Sequence, residues 1–177
     1  MNLDYEIIPN AKRWYDYYVE HIARHYEEQA NSEFLYTPMA KPHLHNLLDA
    51  KIRKWGRPLT ETQWERSWIV VTRDSKVVGH VDLSTSHMEA TRHRALLSMG
   101  IETDYRRKGL GLRLCNEAIK WARTIPGLSW IDLSVFAHNL PAIRLYERLG
   151  FIKGGVVEDM FRVQGQRIND IQMALRL

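Results

Sequence analysis

A chain of 177 residues is long enough for one domain with a real core and too short for two comfortable ones. Its 45% hydrophobic and 26% charged residues are ordinary for a globular protein, no run nears the roughly 20 apolar residues of a membrane span, and the single cysteine, Cys115, excludes an internal disulfide and a zinc cluster. Lys and Arg outnumber Asp and Glu by 25 to 21, a net charge of +4 that suits an anionic ligand without demanding one.

The opening MNLDYEIIPN has no cationic stretch leading into a long apolar one, so no secretory leader is expected and a cytoplasmic location fits. Residues 11–28 place Trp14, Tyr17, Tyr18, Ile22 and Tyr26 at helical spacing, which predicts a helix laying an aromatic stripe on a core. QANSEFLYTPMAKP (29–42) reads as a loop inside the domain, and HLHNLLDAKIRKW as a second helix ending at Gly56 before Pro58.

From Trp68 the period becomes two. SWIVVTRDSKVVGHVDLSTS predicts a hairpin turning at Asp74–Ser75, with Val77, Gly79, Val81 and Leu83 on one face and Val78, His80, Asp82 and Ser84 on the other. ALLSMGI (95–101) is apolar on both parities, as in a strand buried on both faces. Next comes DYRRKGLGLRL, then a helical stripe of Cys115, Ala118, Ile119 and Ala122, and a strand at WIDLSV (130–135). NLPAIRLYERLG reads as a capped helix, with Asn139 as N-cap, Pro141 in the first turn and Gly150 as the stop. IQMAL closes the sheet as a hairpin with residues 156–163 across Gln164–Gly165.

The fold class is therefore α/β (α+β), a single domain with a mixed sheet around a central strand–turn–helix–strand crossover. Its helix starts at the two glycines of the basic turn. Helix-start amides have no intrahelical partners, the helix dipole is positive there, and Arg106, Arg107 and Lys108 add charge, so Gly109, Leu110 and Gly111 open a plausible pyrophosphate cradle. A basic turn with tight helix packing is the alternative. The P-loop pattern fails, because Leu112 and Arg113 follow Gly111 where Lys and Ser/Thr are needed. The dinucleotide fingerprint fails too, with Leu114 where a third glycine belongs.

Arg106-Arg107-Lys108-Gly109-Leu110-Gly111 does read as R/Q-x-x-G-x-G/A, and NLPAIRLYERLGF supplies Asn139, Ala142, Leu145, Tyr146, Gly150 and Phe151 downstream. In this order the two stretches resemble the GNAT superfamily of acetyl-CoA-dependent N-acetyltransferases, from about Trp68 to Leu177. The resemblance implies a mostly antiparallel sheet with one parallel crossover. It also implies an acetyl-CoA-binding core over 68–177 and a helical acceptor side over 1–66. It implies cofactor pyrophosphate on the turn from Arg106 to Gly111, pantetheine against the strand backbone of Met99, Gly100 and Ile101, and a second pantetheine contact at Asn139. Tyr146 is implied as the acid that protonates the departing thiolate. Plain alternatives are that Asn139 only caps its helix and that Tyr146 only packs beside Ala142 and Leu149.

The base is open. Many relatives carry a Glu early in the strand before the turn, where this chain has Ala95, and some that acetylate protein N-termini carry one where it has Ser134. Asp132, His80 and Asp82 are candidates, as is a water relay; Glu102 reads as solvated. The partners implied are acetyl-CoA and a primary amine, with a homodimer compatible and neither nucleic acid nor membrane expected. A protein of this fold that senses acetyl-CoA without transfer is the alternative, and a nucleic-acid module a remote one. Cys115 and most of the eight histidines, His43, His45 and His93 among them, read as core or surface residues rather than ligands. The acceptor's identity is not legible, although Asn31, Ser32, Glu33 and Tyr36 lie in the segment that should help set it.

Overall fold

The structure is a computed structural model that describes residues 4–30, 44–163 and 165–177. Asn31, Ser32, Glu33, Tyr36 and His43 lie outside the described residues, as does the side chain of His45. Strand β1 (Tyr5–Pro9) is followed by helices α1 (Tyr15–Ala30) and α2 (Leu44–Trp55), then strands β2 (Glu65–Thr72), β3 (Val77–Ser84) and β4 (Arg94–Ile101). Helix α3 (Leu110–Ala122), strand β5 (Trp130–Phe136), helix α4 (Leu140–Arg148) and strands β6 (Ile152–Val163) and β7 (Gln166–Arg176) complete the chain. The seven strands form one sheet in the order β1-β2-β3-β4-β5-β7-β6, antiparallel except for β4 with β5.

β1 has no counterpart in the sequence reading. It is five residues long, lies at the sheet edge and ends in Pro9, where a missing N–H costs no ladder bond. α1 runs through Ala30, so the first two residues of the expected loop are helical.

The two sheet faces have different characters. On one, α3 packs Leu114, Cys115, Ala118 and Ile119 against Trp68, Val70, Val81, Leu97, Ile131 and Leu133, with Tyr146 of α4 in the same core. Each large apolar side chain buried there contributes about 1.5–3 kcal/mol. On the other, α1 and α2 cover Ile69, Val71 and Val77 with Tyr18 and Val19. Val77 thus lies opposite to the face that simple alternation assigns it, while Val78 joins Val81 and Leu83. A register shift between Val70 and Val71 is the cause, since one extra residue inverts the parity beyond it.

β4 also departs from expectation. Ala95 and Leu97 are buried, but Leu96 is 51% exposed and Ser98 is exposed. The parallel ladder to β5 consists of Arg94↔Trp130, Ala95↔Ile131 and Leu96↔Asp132 and goes no further. Beyond those pairs the strands part, and Leu96, Ser98 and Ser134 beside the gap are exposed.

Candidate active site

In the turn after β4, Arg107 at φ 58° and Gly109 at φ 75° are both left-handed. The first intrahelical bond of α3 runs from Arg113 N to Gly109 O at 3.2 Å, so the amides up to Leu112 precede it. The two glycines do different work. A Cβ on Gly109 would meet nothing within 4 Å, leaving open space over the amides, whereas one on Gly111 would lie 3.2 Å from Met99 Cε and Leu145 Cδ2. Gly109 faces open space, and Gly111 lets α3 pack closely on β4 and α4. Backbone amides, an open glycine and a helix start suit a bound phosphate.

The three basic residues also separate. Arg106 donates from Nε to the Ile101 carbonyl at 2.9 Å, tying the turn to the end of β4. Lys108 reaches Tyr5 Oη at 3.0 Å and lies over the rings of Tyr5 and Tyr105. Arg107 is exposed.

α4 fixes Asn139 and Tyr146 by local rules. Asn139 Oδ1 accepts from Ala142 N at 3.2 Å, so the cap uses the oxygen and leaves Nδ2 as a donor. At the other end Gly150, at φ 91°, donates to Glu147 O and Phe151 N donates to Tyr146 O, both at 3.0 Å. That is a Schellman closure, and its apolar contact is Phe151 against Tyr146, with ring centroids 5.7 Å apart. The glycine stop therefore locks the turn that carries Tyr146. Tyr146 is 6% exposed, and burial raises its phenol above the ordinary value. Nearby Cys115 is core, its thiol pushed up to about 12 by burial, with Sγ 3.5 Å from Met99 Sδ.

The opposite face holds a polar network that sequence patterning did not assemble. His21 Nδ1 lies 2.9 Å from Glu102 Oε1, and His21 Nε2 lies 2.9 Å from His80 Nδ1. With Glu102 ionised, His21 donates to it and accepts from His80, which leaves His80 Nε2 unprotonated. His25 stacks on His21, and both His25 and His80 press on Gly100: an added Cβ there would lie 2.6 Å from His25 Nε2 and 2.8 Å from His80 Cε1. Burial lowers all three histidines, His80 well below its ordinary value and His25 to about 4. Next to them Lys51 Nζ bridges Glu65 (2.6 Å) and Asp82 (2.7 Å), and Tyr18 donates to Asp82 at 2.8 Å. Burial works against the Lys51 charge, but Asp82, Tyr18 and Glu65 outweigh it and raise its pKa well above the ordinary value.

Several expectations change accordingly. Glu102 is 3% exposed rather than solvated; burial alone would raise it, yet hydrogen bonds from His21, Lys76 and Arg24 hold it down at about 2. Ala95 faces the α3 core, so no base from that position would reach the acceptor side. Asp132 is clamped by Arg94 at 2.5 and 2.6 Å. Of the expected α1 stripe Tyr17 is exposed and Tyr18 is buried, with Val19 and His21 buried beside it. The spacing of His21 and His25, one helical turn apart, was the available signal for the cluster; the position of His80 against them was not readable locally. Among the expected cofactor contacts, Met99 meets both Gly111 of the turn and the Cys115 thiol beside Tyr146, and Arg106 is tied to Ile101, whereas Asn139 is placed only by its cap at the start of α4.

The strands form a mixed sheet, antiparallel but for β4 with β5, with a glycine turn leading from β4 into α3. The acetyltransferase (GNAT) family model matches residues 16–151, and the chain belongs to that family, which uses acetyl-CoA. Among curated relatives, an Escherichia coli L-amino acid N-acetyltransferase is 26% identical over 106 residues, covering 60% of this chain and 65% of its own length. A Vibrio cholerae spermidine N(1)-acetyltransferase is 29% identical over 108 residues, 61% of each chain. The Schizosaccharomyces pombe N-acetyltransferase aca1 is 37% identical over 65 residues, 37% of this chain and 31% of its own. The chain thus spans less than two thirds of each of these relatives. Among solved structures, the Salmonella typhimurium protein yncA with its cofactor acetyl-CoA superposes with a TM-score of 0.81 at 17% identity, over 99% of this chain and 95% of its own. Ribosomal-protein-S5-alanine acetyltransferase from Vibrio fischeri gives 0.76 at 16% identity, over 99% and 94%. Both show the same fold. No helix among the described residues is long and apolar enough to cross a membrane.

Proposed function

We propose that the chain transfers an acetyl group from acetyl-CoA directly to a primary amine of a small molecule or of a peptide or protein. The observation that carries the reading is the gap beyond Leu96↔Asp132, which joins two chemically different faces. On the α3/α4 side lie the basic glycine turn and Tyr146; on the α1/α2 side lie the polar groups of His21, His80, Asp82 and Glu102.

When bound, acetyl-CoA supplies an acetyl group activated as a thioester. The amides of the 106–111 turn hold its pyrophosphate, with Gly109 giving clearance. The free edge of β4 at Met99–Ile101 pairs with the pantetheine amides as an added strand would. Asn139 donates from Nδ2 while its oxygen caps α4. Tyr146 gives its proton to the departing thiolate, a task open to a phenol, which is protonated at neutral pH. Relatives named for amino acids, spermidine and ribosomal-protein alanine support an amine acceptor and differ among themselves in which one.

The test is a thermal-shift titration with acetyl-CoA, beside NAD and ATP as controls, followed by an amine screen for CoA release. Acetyl-CoA at about a hundred times its dissociation constant stabilises by about 2.7 kcal/mol, and the controls do not. Tyr146→Phe keeps that shift and loses about 10²-fold in kcat. No shift with acetyl-CoA, or a Tyr146→Phe enzyme of undiminished kcat, refutes the corresponding assignment.

A further inference from the structure

The base that the sequence leaves open has a structural candidate one strand away from where relatives carry it. Among the described residues of the acceptor face, four carboxylates are neutralised by cations. Glu65 and Asp82 share Lys51, Glu102 is held by Arg24 and Lys76 at 3.1 Å each, and Asp132 is clamped by Arg94. Asp170 on β7 differs. It is 2% exposed, its Oδ2 accepts a hydrogen bond from Ser134 Oγ, and its Oδ1 has no partner. A buried carboxylate with a spare oxygen and no ion pair among the described residues is costly to the fold, which makes it a candidate for a functional group.

Its placement is telling. Asp170 stands opposite Phe136 in the β5–β7 ladder, on the sheet face that also carries Ser134, Leu96 and Ser98. Ser134 is exposed and lies two residues past Asp132, the last β5 residue paired with β4, so it borders the gap. Because Ser134 gives its proton to Asp170, its oxygen lone pairs are left for a donor arriving from the gap.

We propose that Ser134 and Asp170 form the proton-accepting pair for the acceptor amine, with Ser134 touching the amine and Asp170 acting through it. This rests on the acetyl-transfer reading above. The acceptor enters as the free amine. As its nitrogen bonds to the acetyl carbon and the carbon–sulfur bond breaks, one N–H proton passes to Ser134 Oγ and the Ser134 hydroxyl proton passes to Asp170 Oδ2. The thiolate takes its proton from Tyr146, and both groups return to their starting states by exchange with water. The carboxylate that some relatives place on the strand at this position is thereby supplied from β7 and reaches the amine through a hydroxyl.

The experiment uses the full chain and the best amine of the screen. Asp170→Asn still accepts from Ser134 but cannot take a proton, and Ser134→Ala removes the intermediary. Each lowers kcat about 10²-fold, the scale of a lost acid–base group, while KM for acetyl-CoA and the acetyl-CoA thermal shift stay at wild-type values. The double variant is no slower than either single one, because the two act as a unit. Ser134→Glu placed on Asp170→Asn restores at least a tenth of wild-type kcat, which a purely structural role for Asp170 would not allow. Undiminished kcat in Asp170→Asn or in Ser134→Ala overturns the pair and leaves acetyl transfer standing, as does failure of Ser134→Glu to restore activity in a folded protein that binds acetyl-CoA. A wild type that binds acetyl-CoA yet releases no CoA with any amine overturns both. Should Asp170→Asn not fold, Ser134→Ala alone decides.

Discussion

Acidification from pH 7.5 to 5.0 should weaken the fold, chiefly through the buried histidines. His25 is held at about 4 against an ordinary 6.5, chiefly by burial and then by His21 and Arg106. Its neutral form is favoured in the native state, so on acidification the unfolded chain binds a proton that the native chain refuses. The sign follows: the native state is fully favoured above about pH 6.5, and stability is lost as pH falls toward 4. A difference of about 2.5 pH units corresponds to about 3.4 kcal/mol when complete, and about 2 kcal/mol is already lost at pH 5. His21 and His80 are lowered by the same cause and add to the loss. Glu102 and Asp82, each held at about 2, act in the same direction only below about pH 4.5, where the unfolded carboxylates begin to protonate. Glu65, raised by burial, opposes them. Urea unfolding followed by tryptophan fluorescence should show at least about 2 kcal/mol less stability at pH 5.0 than at 7.5. In His25→Gln that difference should shrink by about 2 kcal/mol. Equal stability at the two pH values, or an unchanged difference in His25→Gln, refutes the reasoning.

Two substitutions separate roles that share one residue or one contact. Asn139→Asp keeps an N-cap oxygen and loses the Nδ2 donor, so its melting temperature should match wild type while acetyl-CoA affinity falls; Asn139→Ala should lose both, with about 1 kcal/mol of stability. A melting temperature for Asn139→Asp as low as that of Asn139→Ala would show that the oxygen is not the cap. Gly100→Ala drives a Cβ to 2.6 Å from the His25 ring, and at 1–3 kcal/mol for overpacking it should cost about 2 kcal/mol in thermal unfolding. A neutral Gly100→Ala would mean that the imidazoles do not rest on that strand.

The sequence by itself determined what depends on neighbours along the chain. The basic glycine turn between a strand and a helix, the Asn139 cap and the Gly150 stop are each set within a few residues, and the structure keeps all of them. Such features also carried the family resemblance, since a phosphate cradle and a capped helix are local devices. The failures share a cause as well. β1 is short and draws its pairing from β2, the Val70/Val71 register shift reverses the face of Val77, and β4 exposes Leu96 because β5 leaves it after three pairs. None of these is encoded in the residues concerned; each depends on a partner strand. The same holds for the acceptor face. Glu102 looked solvated in sequence because His21, Arg24 and Lys76, which bury and neutralise it, come from α1 and the loop before β3. The meeting of Ser134 with Asp170, 36 residues apart, was likewise decided only when β7 inserted beside β5. Local sequence can position a backbone amide, but the charge state and reach of a buried side chain are set by groups that only tertiary packing brings within hydrogen-bonding distance.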